Sequence, residues 1–250
     1  MNVDVRFSNG GVFANVIRAV SLLVDEASFV FDVEGLRLSA MDPYHAALLS
    51  LALPADRFEH YNIDEGRTVT LNIRDLMKIL KRGGETQLDM SFDAEKNKLH
   101  LMFQEKGRSK SFSLQTYETH HEPASISRVS FSAEAVIDVE TFKQVVEDGF
   151  LVGDVLRIKA SDDELVFDAG SPAENTYSMR VRKDGAALRL LECSEPTTAC
   201  YSLTYLEKIV DGCRPLTDTV SLAFASDKPM KITALDGVLT YYLAPRLDTF

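Results

Sequence analysis

The sequence predicts an α+β protein in which one unit of helices and antiparallel strands occurs twice. Two observations carry this prediction. Segments with helical spacing alternate with clusters of short strand-like stretches, in the order helix, strands, helix, strands. The second half of the chain then repeats the pattern of the first at an offset close to 129 residues.

The first helix is indicated by apolar residues at i, i+3, i+4 and i+7, which is the spacing of one buried helix face. These residues are Phe13, Val16, Ile17 and Val20. Ser8 or Asn9 precedes them and is suited to cap the helix. Strand-like stretches follow at 28–33, 36–40 and 46–53, with a turn at Glu34 and Gly35 and a stop at Pro54.

The second helix is predicted over 73–82, directly after a strand at 68–71. Its buried face repeats the same spacing with Ile73, Leu76, Met77 and Leu80. Gly83 and Gly84 end it, since glycine readily adopts the positive φ of a helix terminus. Further strands are predicted at 86–92, 98–104 and 109–115.

The repeat runs through both helices. A shift of 129 lays FANVIRAVSLLVDEASFVFDVEGLRLSA, from Phe13, over FKQVVEDGFLVGDVLRIKASDDELVFDA, from Phe142. A shift of 130 lays LMKIL over LEKIV, and one of 132 lays LDMSF over VSLAF. Because the offset drifts only in loops, we predict an N-terminal domain over 1–116, a polar connector over 117–128 and a C-terminal domain over 129–250.

Composition narrows the class of protein. The 250 residues carry a net charge of −11, and 45% of them are apolar, which fits a globular chain and excludes disorder. No apolar run reaches the ~18 residues of a membrane span, and the first residues lack the layout of a signal peptide. Three cysteines without a Cys-x-x-Cys pair indicate reduced thiols.

No catalytic or phosphate-loop motif is present, and no cofactor is expected. Asp42 and His45 can be drawn as an acid–base pair, although a turn fixed by Pro43 explains them more simply. The adjacent pair His120 and His121 lacks the spacing of a helical metal site, so no metal site is predicted. The sequence therefore favours a binding protein over an enzyme.

Charge on the second helix is the clearest functional signal. Arg74, Lys78 and Lys81 fall at i, i+4 and i+7 and form one stripe, with Arg82 beside them and Asp75 as the lone carboxylate. A solubilising face is the simple explanation, but the stripe stands out in an acidic chain. It suits contact with nucleic-acid phosphates, which does not depend on base sequence.

Several stretches together resemble sliding clamps of the proliferating cell nuclear antigen (PCNA) type, as found in archaea and eukaryotes. These stretches are LLVDEASFVF, LRLSAMDPYHAALLSL, LMKILKRG, FLVGD and SDKPMKI followed by LTYYLAPRL. They run in order along nearly the whole chain. The resemblance implies two duplicated domains of the DNA-clamp fold and a ring of three subunits, with helices lining a hole for duplex DNA and antiparallel sheets outside.

The resemblance also implies which residues meet DNA. Lys78 and Lys81 fall on family positions that face the duplex, and Glu147 and Asp211 stand where basic residues are common in the family. The DNA-binding residues expected on this basis are Arg18, Arg74, Lys78, Lys81, Arg82 and Lys208.

Two further surfaces are implied by the resemblance. The first is an apolar pocket for short peptides of partner enzymes, with matching positions Met41, His45, Ala46, Leu48, Pro229, Tyr242, Ala244 and Pro245. The second is the subunit interface, where two edge strands of neighbouring chains join. The residues expected there are Lys110, Phe112, Leu114, Tyr177, Met179 and Val181.

The function expected from the sequence is a non-catalytic processivity clamp that tethers DNA polymerase, flap nuclease and ligase to double-stranded DNA. A clamp-loader ATPase would open the ring. Two alternatives remain: a subunit of a heterotrimeric or checkpoint clamp, and a small hydrolase using Asp42 and His45. The expected location is the cytoplasm, with the nucleoid, in an archaeon and the nucleus in a eukaryote; no membrane partner is expected.

Overall fold

A computed structural model of the protein describes residues 3–118, 128–171, 173 and 175–247. It contains two compact units, one formed by Met1–Pro43 with Leu49–Ser125 and the other by Tyr44–Leu48 with Ile126–Phe250. The predicted connector over 117–128, with His120 and His121, lies outside the described residues except at 117, 118 and 128. None of the described helices combines the length and apolar character needed to cross a membrane.

Among the described residues, the first unit contains two α-helices and nine strands, the fourth of which starts in the 44–48 segment that belongs to the second unit. The helices are α1 (Gly10–Ser21) and α2 (Ile73–Gly83). The strands are β1 (Val3–Phe7), β2 (Glu26–Asp32), β3 (Gly35–Met41), β4 (Ala47–Pro54), β5 (His60–Ile63), β6 (Arg67–Asn72), β7 (Gln87–Asp93), β8 (Lys98–Glu105) and β9 (Arg108–Gln115).

Two sets of neighbouring strands accompany the helix pair of this unit. One follows the order β5-β1-β7-β8-β9 and the other β6-β2-β3-β4, with antiparallel pairing in both. The strands alternate buried and exposed residues, as β8 does, because one face of each sheet packs on the core. The apolar faces of α1 and α2 are buried, and the two helices pack against each other.

The second unit repeats this arrangement. Its helices are α3 (Val139–Phe150) and α4 (Leu203–Cys213). Its strands are β10 (Ala133–Asp138), β11 (Val155–Ala160), β12 (Glu164–Gly170), β13 (Thr176–Arg182), β14 (Leu188–Cys193), β15 (Thr197–Ser202), β16 (Thr219–Phe224), β17 (Met230–Ala234) and β18 (Leu239–Leu243). The strand orders are β14-β10-β16-β17-β18 and β15-β11-β12-β13.

The predicted duplication is confirmed element by element. A shift of 129 carries both ends of α1 onto those of α3, and a shift of 130 carries both ends of α2 onto those of α4. Strands β3 and β12 correspond at 129, and β6 and β15 at 130. The strand orders of the two units also correspond one to one. The predicted α+β class with two copies of one fold is therefore correct.

Local capping explains where the helices begin. Asn9 accepts a hydrogen bond from the backbone N–H of Gly11, so Asn9 and not Ser8 caps α1. Asn72 accepts one from Asp75 at 3.0 Å, and Asp138 accepts one from Thr141 at 2.8 Å. At its other end, α2 stops at Gly83, and Gly84 follows with a φ of 61°.

Candidate nucleic-acid interface

Helix α2 is strongly amphipathic. Its apolar residues, Ile73, Leu76, Met77 and Leu80, are buried in the first unit. The predicted basic residues of this helix are exposed and lie on the opposite, solvent-facing side: Arg74, Lys78, Lys81 and Arg82. The structure therefore brings the four predicted cations of this helix onto one surface, named here the α2 basic face.

Two of these cations already contact carboxylates. Arg74 donates two hydrogen bonds to Asp25, from Nε at 2.6 Å and from a terminal nitrogen at 2.7 Å. Lys78 Nζ lies 2.8 Å from Asp75 Oδ1, with 75% of the lysine side chain exposed. Exposed ion pairs of this kind contribute only ~0–1 kcal/mol, so Lys78 can exchange Asp75 for a phosphate at little cost.

The last turn of α2 adds a cation that the sequence assigned elsewhere. Lys110, on β9, donates a hydrogen bond from Nζ to the backbone carbonyl of Arg82 at 3.1 Å. Cations are stabilised at a helix C-terminus, where unsatisfied carbonyls concentrate negative partial charge. Lys81, Arg82 and Lys110 therefore form a basic cluster at this end of α2.

Helix α1 contributes less charge. Arg18 is its single cation and is half-exposed, and the Ser21 hydroxyl donates to the Arg18 carbonyl at 2.7 Å. Val12 is exposed on the same helix. The basic character of the first helix pair thus belongs mainly to α2.

The helices of the second unit carry a different charge pattern. Lys143 on α3 forms an ion pair with Glu147 at 2.6 Å, one turn along the helix. Lys208 on α4 lies with Nζ 5.5 Å from the centre of the Tyr205 ring, a cation–π arrangement. Lys208, a predicted DNA-binding residue, is half-buried, and its helix also bears carboxylates.

Each unit also has a sheet with an edge strand that bears predicted interface residues. Among the described strands, β9 pairs only with β8, and β13 pairs only with β12. The predicted interface residues lie on these strands: Lys110, Phe112, Leu114, Tyr177, Met179 and Val181. An edge strand offers a row of backbone donors and acceptors to a further strand, so each is suited to pair with another chain.

Three of the interface positions also make contacts within their own unit. Phe112 meets Phe103 edge to face, with ring centroids 6.1 Å apart. Tyr177 donates from its hydroxyl to the sulfur of Met179 at 3.4 Å, and burial raises the pKa of Tyr177 to about 12. Backbone groups rather than these side chains are therefore the main feature that the edges present to a partner strand.

Comparison with known proteins decides the family. Residues 2–121 match the family model of the proliferating cell nuclear antigen N-terminal domain. Over 99% of its length, the chain is 30% identical to the entire DNA polymerase sliding clamp of Thermococcus gammatolerans and to the entire DNA polymerase sliding clamp 1 of Thermococcus kodakarensis. The chain belongs to the proliferating cell nuclear antigen family of DNA polymerase sliding clamps.

A solved structure supports the fold of this clamp. The crystal structure of PCNA from Thermococcus kodakaraensis matches with a TM-score of 0.91, over 98% of this chain and 100% of that chain, at 22% identity. The family resemblance read from the sequence is confirmed, and so is its conclusion that the chain is a sliding clamp.

Some residues of the clamp's expected peptide pocket are brought together in the second unit. The backbone N–H of Ala244 donates to the carbonyl of Ala46 at 2.8 Å, which joins the 44–48 segment to the end of β18. Tyr242 pairs with Lys231 across β17 and β18. The remaining pocket residues of this unit are half-exposed Pro229 and Pro245, exposed His45 and buried Leu48. Met41 ends β3 in the first unit and is half-buried.

Sequence reasoning missed several functional candidates of the clamp. Tyr44 is 85% exposed beside His45, and no periodic pattern marks it. Asp25, the partner of Arg74, lies 49 residues away along the chain.

The structure separates the surroundings of the two residues drawn as an acid–base pair: Asp42 is buried, whereas His45 is exposed and has a φ of 57°. Within the described residues, no group of three His, Cys, Asp or Glu is placed to hold a metal ion.

Proposed function

We propose that this clamp closes with other clamp subunits into a ring of three around duplex DNA and holds replication and repair enzymes there. The observation that carries the proposal is the α2 basic face, which presents four cations in a chain of net charge −11. An acidic chain disfavours binding to nucleic acid over most of its surface, so a local basic face defines where contact occurs.

The chemistry of this face suits sliding. Lysine and arginine contacts to phosphates fix a protein on a duplex without reading its sequence. Base-reading contacts would hold the clamp at one site. The proposed DNA contacts are Arg18, Arg74, Lys78, Lys81 and Arg82.

Ring closure would use the edges of the two units. Strand β9 of one subunit would pair with β13 of the next, so that both rows of edge donors and acceptors gain partners. The edges differ in sequence, which makes the contact heterologous and compatible with a closed ring.

Partner enzymes would bind through short peptides on the second unit. Polymerase, flap nuclease, ligase and the clamp loader are the proposed partners, and a peptide would plant apolar anchors beside Leu48, Tyr242 and Pro245. The joined Ala46 and Ala244 backbones support this location. The clamp itself would catalyse no reaction. In an archaeon it would act in the cytoplasm at the nucleoid, and in a eukaryote in the nucleus.

A mixed ring is a second candidate, favoured by the charge of the edges. Strand β9 carries Arg108 and Lys110, strand β13 carries Arg180 and Arg182, and neither strand has a carboxylate. Like charges facing each other across a strand pair are destabilising. A related chain with an acidic edge would fit better than a second copy. Light scattering on the purified chain separates these cases, since a homotrimer has three times the 27.8 kDa of one subunit.

The DNA surface is tested by the double substitution Lys78→Ala with Lys81→Ala. We expect weaker binding to duplex DNA and a salt dependence of log K that flattens by about 0.9 for each phosphate that is no longer neutralised. Lys96→Ala with Lys106→Ala is the matched control, because it removes the same charge from two turns. An unchanged salt slope in the α2 variant would remove these lysines from the DNA surface.

Encirclement is tested by topology. Clamps loaded onto nicked circular DNA should remain bound during gel filtration and should be released once the circle is cut into a linear molecule. A clamp that binds its DNA from one side would be retained equally on both forms, and the proposed ring would then be wrong.

A further inference from the structure

We propose that the two helix pairs of this chain act in opposite directions on DNA: α1 and α2 attract phosphates, whereas α3 and α4 repel them. Phosphate binding is then confined to the helices of the first unit. This inference rests on the proposed function, because it concerns the same partner.

The charges of the two pairs are opposite in sign. Helices α1 and α2 together hold five cations and one carboxylate. Helices α3 and α4 hold two cations and five carboxylates, although they match the first pair in length and position in the repeat. The carboxylates are Glu140, Glu147, Asp148, Glu207 and Asp211. The repeat has therefore kept the fold of the helix pair and reversed its charge.

Lys143 of α3 and Arg214, which follows α4, contact carboxylates, whereas Lys208 lies over the Tyr205 ring. Lys143 contacts Glu147 at 2.6 Å, and only 23% of the lysine side chain is exposed. Arg214, which follows α4, donates from Nε to Glu140 Oε1 at 2.5 Å and so links the end of α4 to the start of α3. A phosphate approaching Lys143 would have to displace Glu147 from a largely covered side chain and then lie beside that carboxylate.

The carboxylates of the second pair are concentrated where the two helices meet. A cavity of ≈ 140 Å³ lies between α3 and α4, lined by Val146 and Val210 together with Lys143, Glu147, Glu207 and Asp211. The hydrogen bond to Glu140 raises the pKa of Arg214, and the charges of Asp211 and Glu147 raise it further. Three carboxylates thus act on one guanidinium at this end of the pair.

Salt screening sets the range of the repulsion. The Debye length is about 8 Å at physiological ionic strength, so these carboxylates act mainly on phosphates that come close to α3 and α4. Binding through α2 can therefore persist while total affinity stays low. A clamp that must move along DNA benefits from an attraction limited to part of its surface.

The test reverses the charge of the second pair. Glu147→Lys with Asp211→Lys should raise affinity for a fluorescein-labelled linear duplex of mixed sequence, measured by anisotropy over a series of KCl concentrations. The salt slope should steepen by about 0.9 for each additional phosphate that is neutralised. Glu147→Gln with Asp211→Asn should give a smaller increase of the same sign, since it removes repulsion without adding attraction.

Two controls separate this effect from net charge and from truncation. Glu65→Lys with Glu95→Lys makes the same change of charge at exposed bends and turns of the first unit and should leave the salt slope unchanged. Lys143→Ala should also leave it unchanged, because Lys143 Nζ contacts Glu147 at 2.6 Å, whereas Lys78→Ala flattens it.

The outcomes distinguish the inference from the proposed function. The inference is overturned if the double Glu147→Lys and Asp211→Lys variant binds DNA no better than the unaltered clamp. It is also overturned if removing Lys143 flattens the slope as much as removing Lys78; in either case the clamp still binds DNA. If the unaltered clamp shows no salt-dependent binding at all, the proposed function itself fails.

Discussion

Gly83 allows a sharp test of how α2 is held in the first unit. It is the buried last residue of the helix, and a Cβ placed on it would lie 2.0 Å from Cε1 and 2.1 Å from Cδ1 of Phe103. Ordinary contacts of a Cβ begin at 3.4 Å, so the ring would have to move by more than an ångström. Phe103 is 3% exposed and packed against Phe112, which leaves little room for that movement.

The cost of Gly83→Ala follows from two opposing effects. Overpacking of a core costs typically ~1–3 kcal/mol, and an overlap this deep belongs at the upper end of that range. Alanine favours the helix over glycine by at most ~1 kcal/mol. We therefore expect the free energy of unfolding to fall by about 2 kcal/mol. For a chain of this size the Tm should fall by roughly 4–8 °C.

The assay is denaturant unfolding followed by circular dichroism, with a double-mutant cycle. Gly83→Ala should cost much less in a Phe103→Leu background, with a coupling of roughly 0.5–3 kcal/mol, because the smaller side chain leaves space for the new methyl group. Gly84→Ala is the control: this glycine has space for a Cβ, since no atom beyond its chain neighbours lies within 4 Å of that position, so its cost comes from the backbone alone, about 1–3 kcal/mol, and should be the same in the Phe103→Leu background. Additive effects of Gly83→Ala and Phe103→Leu would refute the proposed overlap.

Three further predictions concern caps, thiols and acid stability. Asn72→Ala should lower the free energy of unfolding by about 1 kcal/mol, because it removes the cap of α2. Ser202→Ala, at the equivalent position of α4, should change it little, because the Ser202 side chain makes no cap hydrogen bond. Equal losses in the two variants would contradict this. Burial raises the pKa of Cys213 to about 12, so a thiol reagent should modify the partly exposed Cys193 first and Cys213 only on unfolding, as peptide mapping would show. Burial tends to raise the pKa of Asp168, but hydrogen bonds from a lysine and a serine outweigh it and lower that pKa below 3.8. The ionised carboxylate of Asp168 therefore stabilises the fold fully above pH ~4, and this contribution is lost as the pH falls through the lowered pKa. In Asp168→Asn the free energy of unfolding should depend less on pH in that window. An unchanged pH dependence would contradict a stabilising ion pair.

Periodic elements could be predicted from the sequence because their signal is local. The second helix, predicted over 73–82, ends one residue later in the structure, at Gly83. The predicted strand at 109–115 begins one residue earlier, at Arg108. Strand β5 has the sequence HYNI, and none of its residues is fully buried. A strand without a buried face has no marked apolar pattern, so the sequence did not predict it.

Interactions between distant residues could not be predicted in the same way. Arg74 meets Asp25 across 49 residues, and Arg214 meets Glu140 across 74. Such pairs depend on the packing of whole elements, and charge alone does not select one carboxylate among the 38 acidic residues of the chain. The stripe on α2 was predictable because helical spacing by itself places its members on one side.

The internal duplication lets the two halves of one polypeptide vary independently. Because each half has its own buried core and its own cap residues, surface positions on one copy can change sign without disturbing the other. A single gene can thus tune attraction in one half and restraint in the other. Residence time on a nucleic acid becomes adjustable by point substitutions that leave the architecture intact.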